Sequence, residues 1–138
     1  MSDRVARLEE NVITLEELRS DPLSTRRSQW ALRYGLMESI QIVIDLACEI
    51  VAKRSLGSPS TYRECIELLA QFGLLEQSLA ETLQKMVGLR NLLVHDYDEV
   101  DINRLTPLLG RLDDFKAFAA RYVEITAEGT EPGEPGDR

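Results

Sequence analysis

Apolar residues recur at intervals of three and four along most of the chain, and no strictly alternating run is bounded by turns. That spacing is the mark of amphipathic helices. The first predicted helix covers residues 4–19, with Val5, Leu8, Val12, Leu15 and Leu18 along one side. Asp21-Pro22 ends it, because proline has no N–H for the ladder and restricts the residue before it. A longer helix is predicted over residues 25–55, with Gly57 as its stop and Pro59 beyond. Trp30, Leu32, Leu36, Ile40, Ile44 and Val51 are among its apolar positions, while Ile42 and Leu46 carry apolar character to a second side. A helix patterned this way is buried on more than one side. It is expected at the centre of a bundle, at a subunit interface, or at both.

The third helix is expected to start at Ser60 or Thr61, where Thr61-x-x-Glu64 has the spacing of a capping box. It carries Cys65, Ile66, Leu68, Leu69 and Phe72 and stops at Gly73. The fourth covers residues 76–94 or slightly more. The fifth is predicted over residues 101–125, with Asp101 as N-cap and Pro107 able to move its start to Leu105 or Thr106. The expected fold is all-α, a bundle of about five helices formed by one domain over residues 1–126. Residues 127–138 are rich in Gly, Pro and Glu, cannot bury a core, and are expected to form a disordered acidic tail.

Composition narrows the function. A chain of 138 residues makes one domain and leaves little room for a deep catalytic cavity within one subunit. The formal net charge is −8; the tail's four acids and one arginine account for −3 of it, leaving −5 for the body. Loose, sequence-blind attraction to nucleic acid needs an excess of Lys and Arg, so any RNA must be met by a focused basic cleft. Arg26, Arg27, Arg33 and Lys85 are candidates for it, and a solvated helix face explains them equally well. Cys48 and Cys65 both fall in helical, largely apolar patterns and are read as core thiols of a reducing compartment. No signal-peptide pattern opens the chain, and no apolar run reaches the roughly 18 residues that span a bilayer. A cytoplasmic protein without membrane contact is expected.

One segment breaks the pattern. On a wheel of about 100° per residue, Leu79, Leu83, Met86 and Val87 define the apolar side of the fourth helix, and Arg90 projects into it. Tyr97, seven residues on, falls near the same line; Asn91 and His95, four apart, form the neighbouring stripe. All four are expected to face mostly toward the apolar side. A half-buried arginine needs a partner, because an unpaired one is costly. An ion pair with Glu38, Asp45 or Glu49 of the second helix is one explanation. A site is the other. His95 is the only histidine in the chain, and histidine moves protons near neutral pH. Arginine binds phosphate and stabilises charge developing on it. Together they suit phosphoryl transfer on RNA in which the 2′-OH attacks the neighbouring phosphorus. No carboxylate cluster with metal-ligand spacing accompanies them, so neither a metal nor another cofactor is expected. One histidine is thin for both acid and base roles, and a two-fold dimer would bring two into one cleft.

The run Arg90-Asn91-Leu92-Leu93-Val94-His95-Asp96-Tyr97 matches the Arg-x-x-x-x-His-x-Tyr motif of HepT-like toxins in the HEPN superfamily. Ile44-Asp45-Leu46-Ala47, Gly57-Ser58-Pro59-Ser60-Thr61-Tyr62-Arg63-Glu64, Lys85-Met86-Val87-Gly88-Leu89 and Asp98-Glu99-Val100-Asp101 resemble the same family. The resemblance implies a helical bundle that forms a homodimer with the motif at the dimer cleft. It implies a metal-independent endoribonuclease acting on an RNA substrate, with Arg90 and His95 catalytic and Asn91 supporting them. It also implies an MntA-like nucleotidyltransferase antitoxin as partner, which transfers AMP to Tyr97 and silences the toxin. The alternative is a non-catalytic module of the same fold that only docks the nucleotidyltransferase.

Overall fold

The computed structural model describes residues 3–129. Its helices are α1 (Asp3–Glu17), α2 (Arg26–Lys53), α3 (Tyr62–Gln71), α4 (Gln77–His95), the single turn α5 (Ile102–Leu105) and α6 (Leu112–Gly129). Short 3₁₀ segments follow α1 (Leu18–Ser20), α4 (Tyr97–Glu99) and α5 (Thr106–Arg111). The five long helices are the bundle that the periodicity predicts, and no strand occurs among the described residues.

The long α2 is the centre of the molecule, packed against α1, α3, α4, α5 and α6. Leu36, Ile40, Ile44, Leu46, Ala47 and Val51 are all buried within the one chain, which accounts for its apolar second side. Phe115 and Phe118 of α6 and Leu8 and Leu15 of α1 complete the core around it. Trp30 departs from the expected inward pattern: it is 55% exposed and stacks on Tyr34, itself 44% exposed, with ring centroids 5.8 Å apart. The first turns of α2 therefore present aromatic surface to solvent, because the inward stripe starts only at Ser28 and Leu32.

Helix ends follow local chemistry. The Thr25 side chain accepts from the Ser28 N–H at 3.0 Å and opens α2. The end of α2 differs from expectation: Ser55, not Gly57, takes the left-handed conformation, with φ 53°. The Leu56 N–H then donates to the Val51 carbonyl at 3.0 Å and the Ser55 N–H to Ala52 at 3.3 Å, the paired bonds of a Schellman motif. Gly73 closes α3 in the same way, at φ 74°, where a side chain would be strained. The predicted fifth helix is broken. Pro107 has no N–H to continue an α-ladder, so α5 gives way to a 3₁₀ stretch before α6 begins. In turn α6 runs on to Gly129, past the point where the tail was expected to begin; residues 130–138 lie outside the described residues.

The reading of the cysteines as free core thiols is corrected. Cys48 of α2 and Cys65 of α3 form a disulfide, with Cα atoms 5.1 Å apart. That separation lies in the ordinary range for a bridge, and it arises from packing between two helices, which residue spacing does not reveal. Four arginines join distant helix ends by donating to backbone carbonyls: Arg19 to Leu109, Arg33 to Val100, Arg54 to Ile125 and Arg121 to Leu74, at 2.7–2.9 Å. Among the described residues, no helix is long and apolar enough to cross a membrane.

Candidate active site

Ala80, Leu83, Met86, Val87 and Leu93 anchor α4 to the core. Arg90 follows on the same side and is half-buried, as the wheel predicts. Its Nη1 donates to Asn91 Oδ1 at 2.9 Å. Its guanidinium carbon lies over the Tyr62 ring, 5.4 Å from the centroid. Its Nε is buried and has no acceptor among the described residues.

The second-helix acids are not its partners. Glu38 accepts from Asn11 at 2.9 Å and Tyr34 at 3.1 Å, and pairs with Arg7 at 3.5 Å. Asp45 accepts from Gln41 at 2.8 Å and lies 3.9 Å from Arg4. Glu49 accepts from the Tyr122 hydroxyl and pairs with Lys53 at 3.3 Å. Burial and the Glu49 contact push the Tyr122 phenol up to about 12. The ion-pair explanation of Arg90 is therefore overturned within this chain. Its cation is steadied by a ring face and a neutral amide, and no carboxylate neutralises it among the described residues.

Asn91 and His95 are exposed, contrary to the expectation that they face the apolar side. At 100° per residue they stand about 100° and 140° around the helix from Arg90, which turns them to solvent. His95 is the last residue of α4. Its side chain makes no hydrogen bond or ion pair with the described residues. Tyr97 does not continue the wheel, because the helix ends before it. Asp96 leaves helical geometry at φ −136°, and its N–H closes the last turn on Leu92 at 2.7 Å. Tyr97 begins the following 3₁₀ turn, half-buried, with its hydroxyl donating to the Trp30 carbonyl at 3.4 Å. Arg33 fixes the far end of this turn through Val100, at 2.8 Å. Arg33 thus has a structural task, and its Nε, like that of Arg90, is buried without an acceptor among the described residues.

Two residues of this site carried no role in the sequence reading. Tyr62 begins α3, and its position depends on the cap before it. Thr61 Oγ1 accepts from the Glu64 N–H at 3.2 Å, and Glu64 Oε2 accepts from the Ser60 N–H at 3.1 Å and its hydroxyl at 2.8 Å. The box therefore reaches back one residue further than predicted. These Ser60 bonds hold the Glu64 carboxyl below its ordinary value. Arg63 follows Tyr62 and extends its guanidinium to Gly88 of α4, where a side chain would collide with it.

A sequence model of a protein family described as Ribonuclease HepT-like matches residues 1–122. The chain belongs to the HepT-like family. The "mRNA nuclease HepT" of Shewanella oneidensis is 39% identical over 85 residues, 61% of this chain and 64% of that protein. The match thus spans a little under two thirds of that relative's length. A solved structure of a toxin–antitoxin pair with AMP-PNP superposes at a TM-score of 0.81 and 28% identity, covering 88% of this chain and 96% of that one. A solved complex of the tri-AMPylated Shewanella oneidensis HEPN toxin with an MNT antitoxin superposes at 0.75 and 28% identity, covering 90% and 99%. The HepT-like fold is thus matched over nearly the whole of α1 to α6, and the stretch carrying Arg90 and His95 lies inside the family match.

Proposed function

We propose that this protein is the toxin of a HepT–MntA pair, an endoribonuclease that cuts RNA without a metal ion. The observation that carries this reading is Arg90. Among the described residues its cation lacks a carboxylate and its enclosed Nε lacks an acceptor. An unmet buried donor costs about 1–3 kcal/mol. A phosphate oxygen supplies both an acceptor and a countercharge. Arg90 binds the scissile phosphate and stabilises the charge that builds on it. His95, exposed at the end of α4, takes the proton from the 2′-OH as O2′ attacks phosphorus. The bond to O5′ then breaks, and a protonated histidine returns a proton to O5′. A homodimer, with the motif at the interface, brings two copies of His95 to share these roles. Asn91 keeps the Arg90 fork in place.

Tyr97 is the control point. An MntA-like nucleotidyltransferase attaches AMP to its hydroxyl, releasing pyrophosphate from ATP. The added phosphate and nucleotide occupy the cleft and repel the RNA backbone. Relatives solved with their antitoxins, one of them AMPylated, support this part.

The test is cleavage of RNA by purified protein in excess EDTA. We expect 2′,3′-cyclic phosphate ends, and a loss of about 10²-fold or more in His95→Ala and Arg90→Ala. Undiminished cleavage by both variants, or activity abolished by EDTA, overturns the assignment. Intact mass after co-expression with the nucleotidyltransferase should rise by whole AMP units in the wild type and stay unchanged in Tyr97→Phe.

A further inference from the structure

Beside the motif, α4 and the α5–3₁₀ stretch enclose an open groove of about 570 Å³. Arg63, Lys85, Arg104 and Arg111 line it, and no aspartate or glutamate does. All four cations are exposed. In a chain of formal net charge −8, four cations around one groove are a marked local reversal. Arg111 is anchored, lying 3.5 Å from Asp114 and donating to Thr82 at 3.3 Å. Arg63, Lys85 and Arg104 have no carboxylate within 4 Å among the described residues. The floor between the cations is apolar, formed by Met86, Leu89, Leu92, Pro107 and Leu108.

We propose that this groove carries the phosphate backbone of the RNA strand on its way to the motif. The inference rests on the nuclease reading above and adds the path of the substrate. Uncompensated guanidinium and ammonium groups over an apolar floor suit a chain of phosphates with ribose and base faces between them. The groove also runs along α4 toward His95. Gly88 and Leu92 precede His95 by seven and three residues, so they share its side of α4. Lys85 stands ten residues before His95, about 15 Å along the axis at 1.5 Å per residue. A polymer held among the cations has this length of helix to follow before it meets His95, a span that one small anion does not cover. Gly88 belongs to the device, because its missing side chain leaves the room in which Arg63 crosses α4.

Binding of a uniform single-stranded RNA, followed by fluorescence anisotropy on a His95→Ala background, separates this claim from catalysis. Arg63→Gln, Lys85→Gln and Arg104→Gln together should raise Kd at least about tenfold near 0.1 M salt. The slope of log K against log salt should fall by about 2, since each phosphate contact on a single strand contributes about 0.7. A matched control, Arg7→Gln, Lys53→Gln and Lys116→Gln, removes equal charge away from the groove and should leave Kd within about twofold. Gly88→Ala should weaken RNA binding while its helix holds or gains stability, because only the flexible end of Arg63 must move. Circular dichroism verifies that each variant is folded. Equal effects of the two triple variants, or an unchanged Kd and slope in the groove variant, overturn the proposal. It falls equally if the groove variant keeps RNA but loses capture of the nucleotidyltransferase, because the groove is then a protein dock. Failure of the wild type to cut RNA would sink the nuclease reading without touching this binding result.

Discussion

A guanidinium at the rim of an apolar core must be held by something, and at Arg90 the holding groups are weak ones. A ring face contributes about 0.5–2 kcal/mol depending on its desolvation, and the Asn91 bond is to a neutral amide. Neither removes the positive charge. The arrangement orients the side chain and leaves its charge for a ligand. On the proposed mechanism Tyr62 is a positioning residue. We expect Tyr62→Ala to lower the cleavage rate about tenfold with little change in global stability, and Tyr62→Phe to restore it, as read by single-turnover kinetics. Arg90→Lys should remain impaired, since an ammonium has no planar fork for phosphate or ring. The inward direction of Arg90 was legible because it lies in line with Leu83 and Met86 on one helix. Tyr62 was not, because it reaches Arg90 from another helix, and periodicity says nothing about which helices meet. The burial of Asn91 and His95 was misjudged by treating neighbouring stripes of the wheel as one face.

At the scale of elements, α3 is the piece on which the site leans. It is short, and it carries Tyr62 and Arg63 in its first turn, directly after the cap. Glu64 holds that turn. Its carboxyl is depressed by bonds from Ser60, so it supports the folded turn fully above the ordinary value of about 4.5. That support fades as pH falls through the depressed folded value. Amide exchange across residues 60–66 should therefore accelerate on acidification before α2 and α6 respond. In Glu64→Gln the same amides should exchange faster already at neutral pH and lose this acid step. An acid response identical to wild type in that variant would refute the role. The existence of the five long helices was readable from three-and-four spacing. Their ends were less so: Ser55 replaced Gly57 as the left-handed residue, and Pro107 divided one predicted helix. Such choices depend on which carbonyls are free near the chain, and the pattern of apolar positions does not contain that.

For the whole molecule, the aromatic pair Trp30–Tyr34 is large apolar surface left in solvent, next to the turn that bears Tyr97. We propose this pair as part of the dimer contact, since contiguous exposed apolar patches mark association surfaces. Our dimer proposal predicts that Trp30→Glu shifts the protein toward monomer in analytical ultracentrifugation and reduces RNA cleavage in parallel. A monomeric wild type with full activity would refute it. The disulfide between α2 and α3 was beyond the sequence reading, which took each cysteine only as one more apolar position on its own helix. The sequence calls for a focused basic cleft and offers Lys85 for it, but Arg63, Arg104 and Arg111 join Lys85 around the groove from other elements, which linear spacing does not reveal.

The four arginines that donate to backbone carbonyls have a consequence for how such a chain changes over time. A carbonyl is offered by every amino acid, so these clasps recognise a place on the main chain and not a partner side chain. Leu74, Val100, Leu109 and Ile125 can each be exchanged for another residue of fitting volume without undoing the bond. A side-chain ion pair would require two matched mutations for the same step. The frame around Arg90 and His95 can therefore drift far in sequence while the turn beyond α4 stays where Arg33 holds it.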